Sequence, residues 1–251
     1  MNPASSRLAW RLDVHEELPS TSDLVRIRAD AGEPEGLAVL ARRQSNARGT
    51  RGRAWSTPTG NLALSVLLRP RLPLREAARL SLLCGAALAE AVASILPAGP
   101  RLALKWPNDL MLNGHKLSGI LLESQGDGNG NIAWVIPGIG VNLAHAPILP
   151  DRIAACLADH MPAPGPEAFA PLLLARLAHW YGVLHEEGFA PVLQAWLAHA
   201  QPPGSPMSLK LGSDVLQGTF AGLDADGSLL MSAEGTVRRF TTGEVLLPGD
   251  G

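Results

Sequence analysis

Short apolar runs alternate along this chain with longer stretches in which apolar residues recur every three or four positions. The runs at 8–14, 37–41, 61–68, 101–105, 117–123 and 132–136 are bounded by turn residues and predict strands. Over 74–96, Leu80, Leu83, Cys84, Ala87, Leu88, Ala91 and Ile95 make one apolar stripe, which predicts a helix backing the sheet. Between two strand-like runs, Gly126-Asp127-Gly128-Asn129-Gly130-Asn131 predicts a solvated hairpin turn, because these residues tolerate positive φ. The pattern turns helical again over 167–187 and 189–200, where Pro171 must occupy a first turn or kink its helix.

Gln201-Pro202-Pro203-Gly204-Ser205-Pro206 cannot continue a helix, and short β-like segments with Gly and Asp turns follow it. The expected organisation is an α/β or α+β domain over residues 1–201, with a small β-barrel over 202–251.

Composition narrows the class. With 46% hydrophobic residues among 251, the chain can bury a substantial core. Its 21 basic residues against 23 acidic ones exclude a global attraction to nucleic acid or an anionic membrane, so any phosphate binding must be local. Two cysteines, Cys84 and Cys156, fit neither a disulfide framework nor a zinc site and read as packing residues. No signal-like segment or apolar run of membrane-spanning length occurs, which makes the cytoplasm the expected location.

The chemistry concentrates in the loop from Gln44 to Trp55, QSNARGTRGRAW. Arg48, Arg51 and Arg53 suit phosphate oxygens because a guanidinium forks onto two acceptors, while Gly49 and Gly52 let backbone amides approach a ligand. Trp55 offers a face for a purine; a solvated basic turn is the plain alternative. A second cluster, Lys105-Trp106-Pro107-Asn108-Asp109, leaves a strand through a proline turn, with an amide that could read a base and a carboxylate that could hold ribose or Mg²⁺. Lys116 opens the strand that carries Gly119, where an ammonium could bridge a carboxylate and an α-phosphate. Glycines 119, 138 and 140 would let a flat ligand lie against strand backbone.

The order and spacing of these pieces resemble the biotin protein ligases, a branch of the biotin/lipoate ligase superfamily. Pro19-Ser20-Thr21-Ser22 resembles the family's D/P-S-T-N segment, residues 44–55 its Q-x-x-G-R-G-R-x-G-R-x-W loop, and Lys105 to Asp109 its K-W-P-N-D motif. His115 to Gly119 contains the K-L-x-G strand start, and Gly138-Ile139-Gly140-Val141-Asn142 the G-I-G-x-N motif.

The resemblance implies a mixed-sheet catalytic domain with a small C-terminal β-barrel, and a two-step reaction. Biotin and MgATP give biotinyl-5′-AMP and pyrophosphate; a lysine of a carboxylase's biotin carboxyl carrier domain then attacks the mixed anhydride. It further implies that Ser20, Thr21, Ser22 and Gln44 meet the ureido ring and its surroundings, and that Arg48, Gly49 and Thr50 line the ligand. By the same resemblance Arg51 and Arg53, with Arg48, meet the nucleotide's phosphates, and Lys116 meets the carboxylate and α-phosphate. Trp55, Asn108 and Asn142 would then meet the adenine, Asp109 the metal or ribose, and Gly119 and Gly138 would wall the biotin pocket.

Two departures stand out. The family loop's G-R-G-R reads Ala47-Arg48-Gly49-Thr50 here, one cation fewer, which predicts looser retention of the adenylate. The last strand reads Glu244-Val245-Leu246-Leu247-Pro248, without a basic residue that some members place near ATP. The chain begins directly in the catalytic domain, so a monofunctional ligase that does not bind DNA is expected, with edge strands available for a homodimer. The competing readings are a lipoate ligase or lipoyl/octanoyl transferase of the same superfamily, and a non-catalytic biotin or adenylate sensor. A nucleic-acid-binding module is disfavoured by the negative net charge.

Overall fold

In a computed structural model, the described residues are 8–53, 55–147 and 153–247, and of Arg51 only the backbone. The chain runs through β1 (Arg11–Leu18), α1 (Thr21–Asp30), β2 (Leu37–Gln44), β3 (Leu62–Val66), α2 (Arg79–Ala93), β4 (Leu102–Lys105), β5 (Asp109–Leu112), β6 (His115–Gly126) and β7 (Ile132–Val141). Then come α3 (Pro166–Glu186), α4 (Phe189–Ala198), β8 (Pro206–Leu211), β9 (Asp214–Leu223), β10 (Leu229–Ala233), β11 (Thr236–Phe240) and β12 (Glu244–Leu246).

Strands β1 to β7 form one mixed sheet in the order β1-β2-β3-β7-β6-β5-β4, in which only β1 and β2 run parallel. All six expected strands of the first domain are present, with shifted ends. The first starts and ends later than its apolar run, because polar Glu16 and Glu17 suit an exposed edge strand that pairs as far as Leu18 with Gln44. Strand β7 runs five residues past the expected end, through Pro137, Gly138 and Gly140. Pro137 falls opposite Val66, between the Ser65–Gly138 pair and the isolated Leu68–Val135 bridge, and its missing N–H interrupts the ladder to β3 there.

Two elements were not expected. Helix α1 is largely polar outside its buried Val25 and Ala29, and it announces itself only through Ser20, whose hydroxyl accepts from the Asp23 N–H as an N-cap. Strand β5 joins β6 by Asn113-Gly114, both with positive φ (52° and 83°), the pair favoured in two-residue hairpins. The turn at Gly126–Asn131 is as expected, with Asp127 accepting from the Asn129 and Asn131 amides at 2.7 and 3.0 Å.

Helix α2 does back the sheet, yet it is buried nearly all round, since α3 and α4 cover its far side. Gly85 admits the Trp196 indole, which lies 3.2 Å from where a Cβ would stand. In α3 the first-turn proline is Pro166, and Pro171 lies inside the helix. Both cysteines are buried and free, as expected; burial pushes the Cys84 thiol up to about 12. No helix among the described residues is long and apolar enough to cross a membrane.

The C-terminal segment is a five-stranded antiparallel sheet, β11-β10-β9-β8-β12. The expected small C-terminal β domain is thus present, as a sheet whose edges β11 and β12 do not pair with each other among the described residues. Strand β12 is only three residues long and is taken up by β8, while β11 presents Arg238 and Arg239 to solvent, which suits an edge. Its core side chains Met207, Leu209, Phe220, Leu229, Met231 and Val245 join the same apolar cluster as α2 and α3. Trp106 ties the seam, its Nε1 donating to the Gly227 carbonyl at 3.0 Å.

Candidate active site

Three clefts meet at Thr50 and Asn108, which line all of them. An inner cleft of about 540 Å³, including the space at its mouth, lies over β3, β7 and β6. An outer cleft of about 640 Å³ runs from Lys116 to the C-terminal sheet, and a groove of about 1210 Å³ lies between the start of α2 and that sheet.

The closed end of the inner cleft is polar. It is built where α1 begins: Ser20, Thr21 and Ser22 are buried, and Thr21 donates its backbone N–H to Gln44 Oε1 at 2.8 Å. Ser65, fully buried on β3, lies 2.7 Å from Thr21 Oγ1 and 3.0 Å from Ser22 Oγ, and Gln44 Nε2 donates to Thr57 at 3.2 Å. The result is a compact set of hydroxyl and amide groups able to donate and accept.

Glycines make the wall. Along β7, Gly138 and Gly140 face the cleft while Ile139 and Val141 are buried behind them, as a period of two requires. A Cβ on Gly138 would stand 2.7 Å from Ser22 Oγ, and one on Gly140 2.4 Å from Trp55 Nε1. Trp55 therefore lies directly on the strand, over the paired Gly140 and Gly119.

The position of Lys116 depends on a β-bulge. Pairing of β5 with β6 steps from Leu110–Ser118 to Met111–Lys116, so Leu117 is the extra residue. Three residues apart in a regular strand, Lys116 and Gly119 would face opposite ways. The bulge brings them to one face, with Lys116 Nζ 3.1 Å from where a Gly119 Cβ would be and 5.5 Å from the Trp55 ring centroid. Asp109 fixes the ammonium at 2.6 Å through Oδ1 and faces Lys105 at 3.6 Å through Oδ2. Lys116 is the only cationic side chain, among the described residues, that lines both the inner and the outer cleft.

The arginine loop closes on itself by backbone bonds, Gly49 N–H to Arg53 O at 2.7 Å and Trp55 N–H to Ala47 O at 3.0 Å. The methyl of Ala47 is buried without disturbing them. Arg48 makes a bidentate ion pair with Asp23 at 3.0 and 2.7 Å, which holds the Asp23 carboxyl below its ordinary range. Arg53 donates to Glu244 of β12 at 2.8 Å, reaching across the outer cleft.

Ser20, Thr21, Ser22, Gln44, Arg48, Gly49, Thr50, Trp55, Asn108, Lys116, Gly119 and Gly138 thus converge on the inner cleft, and Arg53 and Asp109 on the outer one. The Arg51 side chain lies outside the described residues. Asn142 lines none of these three clefts: it is 1% exposed, donating to the Ala155 carbonyl at 3.0 Å behind the wall. Asn108 has one amide hydrogen engaged by the Ile120 carbonyl at 2.7 Å. Among residues the sequence reading left out, Ser65 was visible as a lone hydroxyl in an apolar strand, whereas Asp23 and Thr57 carried no local signal.

Comparison with known proteins identifies the family. Residues 16–142 match the model of the biotin/lipoate A/B protein ligase family. A biotin--[acetyl-CoA-carboxylase] ligase of Paracoccus denitrificans is 40% identical over 84% of this chain and 90% of its own length. A biotin protein ligase from Aquifex aeolicus in complex with biotin and ATP superimposes with a TM-score of 0.79 at 26% identity, over 94% of this chain and 97% of that one. A biotin protein ligase from Leishmania major in complex with biotinyl-5-AMP gives 0.62 at 28% identity, over 92% and 99%. This chain belongs to the biotin/lipoate A/B protein ligase family.

Proposed function

We propose that this protein activates biotin with MgATP to biotinyl-5′-AMP and transfers the biotinyl group to a lysine of a biotin carboxyl carrier domain. The observation that carries this reading is the junction at Lys116: a polar-ended, glycine-walled slot runs into a second cleft lined by Arg53, Lys105 and Lys116. Residues 1–201 form the catalytic part in this reading, and the second domain, residues 202–251, borders the outer cleft through Thr242 to Val245.

The ureido ring binds the hydroxyl and amide groups of Ser20, Thr21, Ser22, Gln44 and Ser65, and its carboxylate lies toward Lys116. Adenine stacks on Trp55 and the triphosphate occupies the outer cleft. In the first step a carboxylate oxygen attacks the α-phosphorus, and the bond to the β-phosphate oxygen breaks with pyrophosphate leaving. Lys116 lowers the repulsion between the two anions and meets the charge that develops on the α-phosphate. In the second step the carrier amine, neutral after losing a proton, attacks the acyl carbon and AMP leaves. Asn142 contributes by holding the backbone behind Gly140 rather than by touching the nucleotide.

Magnesium bound with ATP would screen phosphate charge. Each Asp109 oxygen keeps a second lone pair beside its ion pair, so this carboxylate can take one position on a cation otherwise held by phosphates. Among the described residues no cluster of three acidic, His or Cys ligands could hold a metal alone.

Biotin-dependent pyrophosphate release tests the first step. Release with biotin and none with lipoate supports the reading; release with neither leaves a sensor. The same assay bears on Thr50, whose short side chain stands where the three clefts meet. Thr50→Arg is expected to slow adenylate dissociation about tenfold by adding a phosphate-gripping fork. Unchanged dissociation and unchanged stray lysine labelling would remove that idea.

A further inference from the structure

A β-bulge breaks the regular ladder, so the backbone groups around it need partners from outside the strand pair. At the bulge that carries Lys116, one residue reaches two carbonyls. The Asn142 backbone N–H donates to the Leu117 carbonyl at 2.9 Å, and its Nδ2 donates to the Lys116 carbonyl at 3.5 Å. The β6–β7 ladder itself ends just before, at the Ser118–Val141 pair.

Asn142 is held in turn by Asn61, the residue before β3. Asn61 Oδ1 accepts from the Ala144 and His145 N–H groups at 3.0 Å each. Its Nδ2 donates to the His145 carbonyl at 2.7 Å and to Asn142 Oδ1 at 3.5 Å. Gly60, at φ 96°, permits this approach, since a Cβ there would stand 2.9 Å from the Ala144 Cβ. Both amide side chains are 1% exposed, so leaving their groups unpaired would be costly.

We propose that Asn61 is a positioning residue for Lys116: by fixing the chain where it leaves β7, it sets Asn142 against the bulge and so aims the ammonium at the junction of the two clefts. Asn61 lines none of the three clefts, so its effect on the reaction runs through the backbone. The inference rests on the ligase reading for the step that Lys116 serves, and on the hydrogen bonds alone for the aim of the side chain.

Asn61→Ala is expected to lower kcat for biotin-dependent pyrophosphate release about tenfold, with KM for biotin little changed, because a displaced catalytic group costs rate more than binding. Combined with Lys116→Ala it should cost nothing further, since a positioning residue has no effect once the group it positions is gone. Lysine reactivity gives a second reading that needs no turnover. Lys105, Lys116 and Lys210 are the only lysines of the chain, so acetylation by acetic anhydride can be mapped by mass spectrometry. Asn61→Ala should speed acetylation of Lys116 relative to exposed Lys210 about threefold, the scale of a weakened, partly exposed ion pair to Asp109. Asn61→Asp keeps the size and both accepted bonds but sets an oxygen against the His145 carbonyl; it should give the same changes and stands in where Asn61→Ala does not fold. Unchanged kcat and Lys116 reactivity would overturn the proposal, as would losses that multiply in the double variant or a rise in KM alone. A wild-type protein that releases no pyrophosphate would overturn the ligase reading, while the acetylation would still decide whether Asn61 aims Lys116.

Discussion

Lys116→Ala is expected to lower biotin-dependent pyrophosphate release by about two to three orders of magnitude, the range seen when one charge-stabilising donor is removed from an active site. The reason is positional. Lys116 lines both clefts, so in the proposed reading it stands between the biotin carboxylate and the α-phosphate. The loss should fall mainly on kcat, because charge builds on the phosphate in the transition state. Asp109 would keep Lys105 at 3.6 Å, so its carboxylate is not left alone and the fold should survive. Lys116→Arg should recover little, because a planar guanidinium fork does not reproduce a compact ammonium held 2.6 Å from Asp109 and 5.5 Å from the Trp55 ring centroid. A Lys116→Ala protein retaining a tenth or more of wild-type turnover would contradict this role.

Gly140→Val is expected to raise KM for ATP about tenfold, the order of magnitude of one lost base–aromatic stack. Its Cβ would fall 2.4, 2.6 and 2.9 Å from three atoms of the Trp55 indole, and a ring bound to a short loop cannot fold away as a flexible chain end can. The backbone at 140 lies outside the left-handed region, and valine suits a central strand, so thermal stability should change little. A fall in ATP affinity at constant unfolding temperature is therefore the expected signature. An unaltered KM for ATP would show that Trp55 does not need its seat on the strand.

Most of the fold could be read from period and punctuation, because buried strands and helices leave apolar runs of distinct length. Strand β5 and helix α1 escaped for opposite reasons. The first is four residues long and was absorbed into the Lys105–Asp109 motif; the second is mostly polar and is marked only by its Ser20 cap. Closure of the C-terminal sheet is a property of pairing between distant strands, which no local pattern encodes. In the inner cleft the ordered motifs supply most of the lining, while Ala63, Leu64, Ile120 and Leu121 come from the strands around them, and Thr242 to Val245 reach the outer cleft from the C-terminal sheet. The β-bulge at Leu117, which turns Lys116 toward Gly119, could not be read, because a bulge depends on the partner strand. The Asp23–Arg48 and Arg53–Glu244 pairs were equally hidden: each joins residues far apart in sequence whose charges meet only in the folded chain.

Transfer to a carrier is the most direct test of the central claim. Purified protein would be incubated with MgATP, a biotin carboxyl carrier domain and either biotin or lipoate, and the carrier weighed intact. The account predicts one added biotinyl group on the carrier with biotin and no added group with lipoate. A carrier that gains mass only with lipoate, or with neither acid, would contradict it.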